Sequence, residues 1–299
     1  MKHIFIFNPV AGTAKSRQGI SERIRAAAEE LGADYEIYIT KAENDAKEYI
    51  ANYDPSIEAR FYAIGGDGTL NEAVNGVLAR KGTSELGVIP CGTGNDFVKV
   101  LPDRDALFDI KKQITAKAQP VDAYTTDQGV CGINMVNIGI DAQTAADVHK
   151  VSRFIPGPMA YIVSLVNRFI RPIGIDMEIT IDDKEPIFAT CALTSFGNGK
   201  ACGGGFYTSP RAEINDSLLE ITSVRKVTKL QFLKLVGGYK KGTYLEDPKY
   251  APFIIYNQGK KVTLKTKFPT EMCVDGEVFK TDKITVEILP NAIPFVIPQ

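Results

Sequence analysis

Apolar positions along the chain fall into two textures. In the first third, short apolar runs alternate with stretches whose apolar residues recur three and four apart. The run "IFIF" (Ile4 to Phe7) stops at Asn8-Pro9, after which Ile20, Ile24, Ala27, Ala28 and Leu31 form a helical stripe. "YEIYI" (Tyr35 to Ile39) predicts a strand, "DAKEYIANY" a helix and "FYAI" (Phe61 to Ile64) a short strand. Leu70, Ala73, Val74, Val77 and Leu78 predict a further helix before the strand "LGVIP" (Leu86 to Pro90). Strands separated by helices call for an α/β domain with a mainly parallel sheet, right-handed crossovers and helices on both faces.

Beyond about Asp122 the period changes to two. "DMEITID" (Asp176 to Asp182), "LLEITSV" (Leu218 to Val224), "KVTLKT" (Lys261 to Thr266) and "ITVEIL" (Ile284 to Leu289) read as half-buried antiparallel strands, interrupted by helical candidates at Ala160 to Ile170 and Leu230 to Tyr239. The division is an N-terminal nucleotide-binding domain over 1–122 and a β-rich, sandwich-type domain over 123–289. The tail 290–299 returns to the first domain, where Pro294 and Pro298 in "IPFVIP" suggest an edge segment.

Composition narrows the partners. The 299 residues are 44% hydrophobic, enough for two cores, and 35 basic residues nearly cancel 36 acidic ones, so nothing points to nucleic acid. Five scattered cysteines without C-x-x-C spacing favour a reducing compartment. The opening "KHIFIF" reads as a strand, not a signal peptide, and "AYIVSLVNRFI" is too short to cross a bilayer, so a cytoplasmic protein is expected. Histidines 3 and 149 are isolated, and His3, at the start of a buried strand, is expected to be structural.

Chemistry concentrates in the glycine-rich turns. In "FYAIGGDGTLNEAV" a strand runs into Gly65-Gly66, and Thr69 with Glu72 matches a capping box opening the next helix. Free N–H groups and the positive dipole end at such a turn suit phosphate, and a carboxylate there, Asp67, needs a cation between, usually Mg²⁺. "NPVAG" (Asn8 to Gly12) and "PCGTGNDF" (Pro90 to Phe97) also follow strands, so all three loops emerge at the carboxyl edge of a parallel sheet. Neither a Walker A loop nor G-x-G-x-x-G occurs, which weakens the case for hydride chemistry.

"GGDGTLNE" with "NPVAG" and "GTGNDF", in this order, resembles the diacylglycerol kinase catalytic domain of bacterial soluble lipid kinases, the group of the sphingosine kinases and the YegS-like and DgkB-like enzymes. "CVDGE" resembles the family's C-terminal aspartate motif, so the resemblance spans nearly the whole chain. It implies two domains around a cleft and transfer of the γ-phosphate of ATP, with Mg²⁺, to the hydroxyl of diacylglycerol or a related lipid alcohol. It implies an ATP site lined by Asn8, Pro9, Val10, Ala11, Gly12, Thr40, Gly66, Asp67, Gly68, Thr69, Leu70, Asn71, Glu72 and Thr93. Asp67, Asp96 and Asp122 would organise catalytic Mg²⁺ through water, and Asp275 would be the general base. A second, structural metal would be held by Asp216 and the carbonyls of Glu213 and Leu218, although Ser217 stands where glycine is usual.

Simpler roles stand beside these: Thr40 as a helix cap, Asp122 as a turn former after Pro120, and Asp275-Gly276 as a hairpin tip. A basic rim of Lys15, Arg17, Arg153, Arg168 and Arg171 around the apolar stretch 154–174 suggests peripheral contact with the inner face of the membrane, unless that stretch is an ordinary core stripe. An NAD kinase and a catalytically silent lipid- or nucleotide-binding regulator remain as alternatives, and a homodimer is left open.

Overall fold

The computed structural model describes residues 1–92, 94–151, 164 and 174–299. Thr93, the cations Arg153, Arg168 and Arg171, and all but Ser164 of the helical candidate at 160–170 lie outside the described residues.

Four strands lead the chain: β1 (Lys2–Phe7), β2 (Tyr35–Ile39), β3 (Ala59–Gly65) and β4 (Ser84–Pro90). β1 pairs in parallel with β2 and β3, and β3 with β4, giving the order β4-β3-β1-β2. Between and after them run α1 (Ala14–Arg17), α2 (Ile20–Leu31), α3 (Asp45–Ala51), α4 (Asp67–Ala79) and α5 (Ile110–Thr115). The central strand β3 is buried at every position because helices cover both sheet faces. Phe61 and Ala63 pack with Ile50, Leu70, Ala73 and Val74 of α3 and α4, whereas Tyr62 and Ile64 pack with Ile24, Ala28 and Ile110 of α2 and α5. His3 is structural: its Nδ1 and the Tyr62 hydroxyl share a 2.8 Å hydrogen bond, and burial pushes the imidazole down to about 4.

The second half contributes β5 (Ala118–Thr126), β6 (Cys131–Gly132), β7 (Met135–Gly139), α6 (Ile140–Val151), β8 (Ile175–Ile181), β9 (Ile187–Gly197) and β10 (Leu219–Arg225). It ends with α7 (Lys229–Lys241), β11 (Ile254–Gly259), β12 (Lys261–Val274) and β13 (Glu277–Val296). Pairing here is antiparallel, and β7, β9, β8 and β12 close a ring around a core that includes Val136, Phe196, Leu264 and Met272. Alternating burial along β8 matches its period-two sequence.

β13 joins the halves. It starts against β12, continues against β5 and ends in parallel register with β4 at Phe295 and Leu86, so one sheet runs through a mixed α/β molecule. The proline-bearing tail is not an edge: Phe295 has β4 on one side and Gln119 of β5 on the other, and its side chain is fully buried. Pro294 faces Pro120 in that register, where the two imino groups leave no N–H donor unpaired.

The expected capping box at Thr69 does not form. α4 begins at Asp67 behind Gly66 with no side-chain cap, Thr69 serves the neighbouring loop, and Glu72 turns to accept from Ala46 N at 3.2 Å, at the start of α3. A capping box does open α7, between Thr228 and Gln231.

Candidate active site

Three loops meet at the carboxyl edge of the parallel strands, tied by side chains and by missing ones. The Asn8 amide donates to Thr69 Oγ1 at 3.0 Å while its carbonyl accepts from Val10 N at 3.0 Å, fixing the 8–12 loop against the first turn of α4. Arg17 closes the same loop by donating to Ala11 O at 2.6 Å and Gly12 O at 3.1 Å. The amides of Cys91 and Gly92 donate to Gly65 O at 2.7 and 3.1 Å, so the second and third loops run backbone to backbone. A Cβ on Gly92 would lie 2.5 Å from Gly66 Cα, which no side chain could occupy, while one on Gly68 would meet nothing within 4 Å. The uncapped first turn of α4 therefore presents its N–H groups and dipole to open space beside Gly68, a geometry that favours an anion.

Two carboxylates stand at this junction. Asp67 Oδ1 accepts from Asp96 N at 2.7 Å, and a Cβ on Gly94 would come within 2.7 Å of Asp67 Oδ2. Burial, then the neighbouring charge of Asp96, pushes the Asp67 carboxyl up, against hydrogen bonds from the amides of Asp96 and Phe97. Asp96 is paired with Lys99, whose ammonium also donates to Gly94 O at 3.0 Å. The other Asp96 oxygen accepts from Gly204 N at 2.9 Å. That amide belongs to a finger of the β-rich half, Cys202 to Phe206, whose Gly203, Gly204 and Gly205 all have positive φ (59°, 80° and 105°) that side chains resist. Lys99 and this finger escaped the sequence reading; the run "GGG" was the available signal.

The donor set suits a hard divalent cation. A carboxylate destabilised by burial and by a second carboxylate gains from one, and Asp96, which accepts from Lys99 and Gly204, keeps a free lone pair on each oxygen. Among the described residues no group of three or more His, Cys, Asp or Glu gathers to hold an ion by itself.

Asp122 is elsewhere. Fully buried, it accepts from Asn291 N at 2.7 Å and Ser217 N at 2.6 Å, pinning the 213–218 loop to the bend in β13. It neighbours Asp216, not the Asp67–Asp96 pair: burial first, then the charges of Glu213 and Asp122, push the Asp216 carboxyl up. Asp216 Oδ1 accepts from Leu218 N at 3.0 Å, and Ser217 adopts φ 63°, the conformation for which glycine is the usual choice.

Several residues that the resemblance assigns to the nucleotide have other partners or lie on the surface. Leu70 is 3% exposed in the core against the sheet, and the Asn71 amide donates to Cys131 O at 3.0 Å and Asp275 Oδ2 at 3.3 Å. Thr40 follows β2, its N–H held by Phe7 O at 3.0 Å; it is no cap, since α3 starts at Asp45 behind Asn44. Pro9 and Val10 are exposed on the loop crest.

Asp275 does sit on the expected tight turn, with φ 45° followed by Gly276 at 99°. Its carboxylate points inward. Oδ1 accepts from Tyr124 Oη at 2.6 Å, Met135 N at 2.6 Å and Asn134 N at 3.1 Å, and Oδ2 from Ile133 N at 2.7 Å, Asn134 N at 3.1 Å and the Asn71 amide. A Cβ on Gly132 would lie 2.3 Å from Tyr124 Oη and 2.8 Å from Asp275 Oδ2, so glycine makes room for the cluster. The donors fill the carboxylate's acceptor positions and leave it a clamp between α4, β5 and β7.

Across the glycine finger lies a small apolar cavity of about 40 Å³. Leu193 and Val224 of the sheet, Phe206 of the finger, Phe232, Leu235 and Tyr239 of α7, and Ile140 and Asp141 of α6 line it. Phe206 faces the cavity two residues beyond the amide that binds Asp96, so phosphate loops and cavity share one wall.

Known proteins share the fold and the sequence pattern. Residues 2–126 match the diacylglycerol kinase catalytic domain and residues 134–297 the YegS C-terminal NAD kinase beta sandwich-like domain. A Staphylococcus haemolyticus protein named "Putative lipid kinase SH2167" is 30% identical over 238 residues, 78% of this chain and 74% of that protein. A Bacillus anthracis crystal structure of "a putative diacylglycerol kinase" superposes with TM-score 0.78 and 23% identity, covering 99% of this chain and 96% of its own. The fold extends to an NAD kinase from Archaeoglobus fulgidus in complex with ATP, at TM-score 0.52 and 12% identity over 100% of this chain and 94% of that one. The class is a two-domain kinase with a sandwich-like C-terminal half. The chain belongs to the lipid kinase family defined by the diacylglycerol kinase catalytic domain.

Proposed function

We propose that the protein transfers the γ-phosphoryl group of ATP to the hydroxyl of a lipid alcohol, diacylglycerol first among them. The observation that carries this reading is the shared wall between the phosphate loops and the apolar cavity: Gly204 holds Asp96 on one side and Phe206 lines the cavity on the other. The 8–12 loop, the first turn of α4 and the 92–96 loop would receive the phosphates through backbone N–H groups. Asp67, with Asp96 through water, would hold Mg²⁺, which supplies charge neutralisation on the transferring phosphoryl group. Lys99 fixes Asp96, and the apolar wall behind the finger would face the acyl chain.

Access from a bilayer is part of the proposal. Leu230 and Leu233 on the outer side of α7 are 73% and 61% exposed, with Lys234, Lys240 and Lys241 exposed on the same helix, while Phe232, Leu235 and Tyr239 line the cavity. Such a helix can rest its leucines in an anionic leaflet with its cations at the headgroups. Among the described residues no helix is long and apolar enough to cross a membrane. Leu230→Ser/Leu233→Ser should lose at least tenfold in co-sedimentation with anionic vesicles, and unchanged binding would remove α7 from the contact.

The function is tested by presenting diacylglycerol, monoacylglycerol, sphingosine and NAD with ATP and Mg²⁺ and following the labelled phosphate. A phosphorylated lipid is expected; label on NAD alone would make the protein an NAD kinase.

A further inference from the structure

We propose that Lys99 is a catalytic residue whose ammonium contacts the γ-phosphoryl group as it passes from the nucleotide to the acceptor hydroxyl. The inference rests on the lipid kinase reading and deepens it, because it assigns the cation of the transfer step.

A row of contacts leads from the phosphate loops to the apolar wall, and Lys99 stands in the middle of it. The open first turn of α4 begins at Asp67, and Asp67 Oδ2 lies 2.7 Å from where a Cβ on Gly94 would stand. The Lys99 ammonium donates to the carbonyl of that same glycine at 3.0 Å and to Asp96. On its other side the ammonium lies 3.7 Å from where a Cβ on Gly205 of the glycine finger would stand, and the next residue, Phe206, faces the apolar wall. A phosphate seated at α4 and a hydroxyl presented beyond the finger would have this ammonium between them. Arg17, by contrast, ties the 8–12 loop through Ala11 O and Gly12 O.

The side chain suits that place. Lys99 belongs to the short 3₁₀ helix Phe97–Val100 that follows the 92–96 loop, and Phe97 and Val98 are anchored in the core, so the stem starts from a fixed base. An ammonium has three N–H donors; Gly94 O and Asp96 engage two, and the third has no partner among the described residues. The side chain is 16% exposed, which leaves a ligand access to it. Asp96 and the Gly94 carbonyl hold the ammonium in one position without using all its donors. A charge fixed in this way needs no reorganisation when negative charge shifts among the phosphoryl oxygens, and positioning and charge are most of what phosphoryl transfer asks of a protein.

The step balances with Lys99 as a charge and not as an acid. The alcohol oxygen forms a bond to the γ-phosphorus, and the bond from that phosphorus to the β,γ-bridging oxygen breaks, its electron pair leaving with ADP. The hydroxyl proton is released to water, and the ammonium keeps all three of its own.

A lysine that only neutralised Asp96 would serve nucleoside diphosphate and triphosphate alike, whereas a lysine on the γ-phosphoryl group distinguishes them. Lys99→Met, Lys99→Gln and Lys99→Arg are titrated by calorimetry with ADP and with a non-hydrolysable ATP analogue, both with Mg²⁺. The same preparations are assayed for labelled-phosphate transfer from ATP to diacylglycerol in mixed micelles, with thermal unfolding alongside. Lys99→Met should bind the analogue at least tenfold more weakly than the parent and ADP within about threefold, and its kcat should fall at least about 100-fold. Lys99→Gln keeps an N–H donor for Asp96 without the charge; it should match Lys99→Met, and it carries the test if the apolar variant does not fold. Lys99→Arg keeps the charge and should recover analogue affinity to within about fivefold of the parent. An unchanged ratio of analogue to ADP affinity in a folded Lys99→Met or Lys99→Gln, or a kcat within fivefold of the parent, overturns the inference. A parent that binds ATP but phosphorylates no lipid overturns the lipid kinase reading, while the ratio of analogue to ADP affinity still decides what Lys99 touches.

Discussion

The phenol of Tyr124 donates a 2.6 Å hydrogen bond to the carboxylate of Asp275, across 151 residues of sequence. Both side chains are buried, and burial with the adjacent carboxylate holds the phenol protonated far above its usual range. Tyr124 belongs to β5, where the chain passes from one half to the other, so this bond and the amides of 133–135 fasten the turn of the last hairpin to that passage.

Tyr124→Phe removes one donor from a charged, buried acceptor and leaves the ring in place. Stability should fall by about 1.5–3 kcal/mol, read from urea denaturation with an unchanged slope. A loss below about 0.5 kcal/mol would mean the clamp does not hold the fold.

Gly68→Ala separates architecture from ligand. The position is the second residue of α4, its φ is not left-handed and the added methyl meets open space, so the helix should gain up to about 1 kcal/mol. Nucleotide affinity should fall at least tenfold, because the methyl would stand where a phosphate approaches the backbone. Calorimetric titration with an ATP analogue and thermal unfolding of the same variant check both signs; unchanged affinity would move the phosphates away from this turn.

Asp141 also sets a pH dependence of stability. Its folded value, about 6, lies above the ordinary aspartate value of 3.8, so the folded state binds the proton more tightly and stability declines as pH rises between the two. The full difference is up to about 3 kcal/mol at pH 8. Asp141→Asn should therefore be more stable than the parent at pH 8 and no more stable at pH 4. A variant less stable than the parent at pH 8 would show that the carboxylate has a partner in the folded protein.

Local features were legible where local geometry decides them. Gly66 and Gly92 follow strands and are needed for loop contact, and Asp275-Gly276 forms the turn its sequence demands. The direction of a side chain was not legible. Thr69 and Glu72 have capping-box spacing, yet Asn8, 61 residues away, takes the threonine and α3 takes the glutamate. That Asp122 neighbours Asp216 and accepts from Ser217 and Asn291, far along the chain, could not be read from its own segment. Asp141 gave no signal at all, because an unpartnered oxygen is a property of the assembled cavity and not of "NIGID".

The central claim is that the junction around Asp67 performs ATP-dependent phosphoryl transfer to a lipid. Its most direct test is labelled-phosphate transfer from ATP to diacylglycerol in Mg²⁺-containing mixed micelles, by the parent and by Asp67→Ala, with thermal unfolding run on the same preparations. The account predicts a phosphorylated lipid from the parent and a loss of at least about 1,000-fold in Asp67→Ala, which folds normally. Lipid phosphorylation by a folded Asp67→Ala within tenfold of the parent would contradict it.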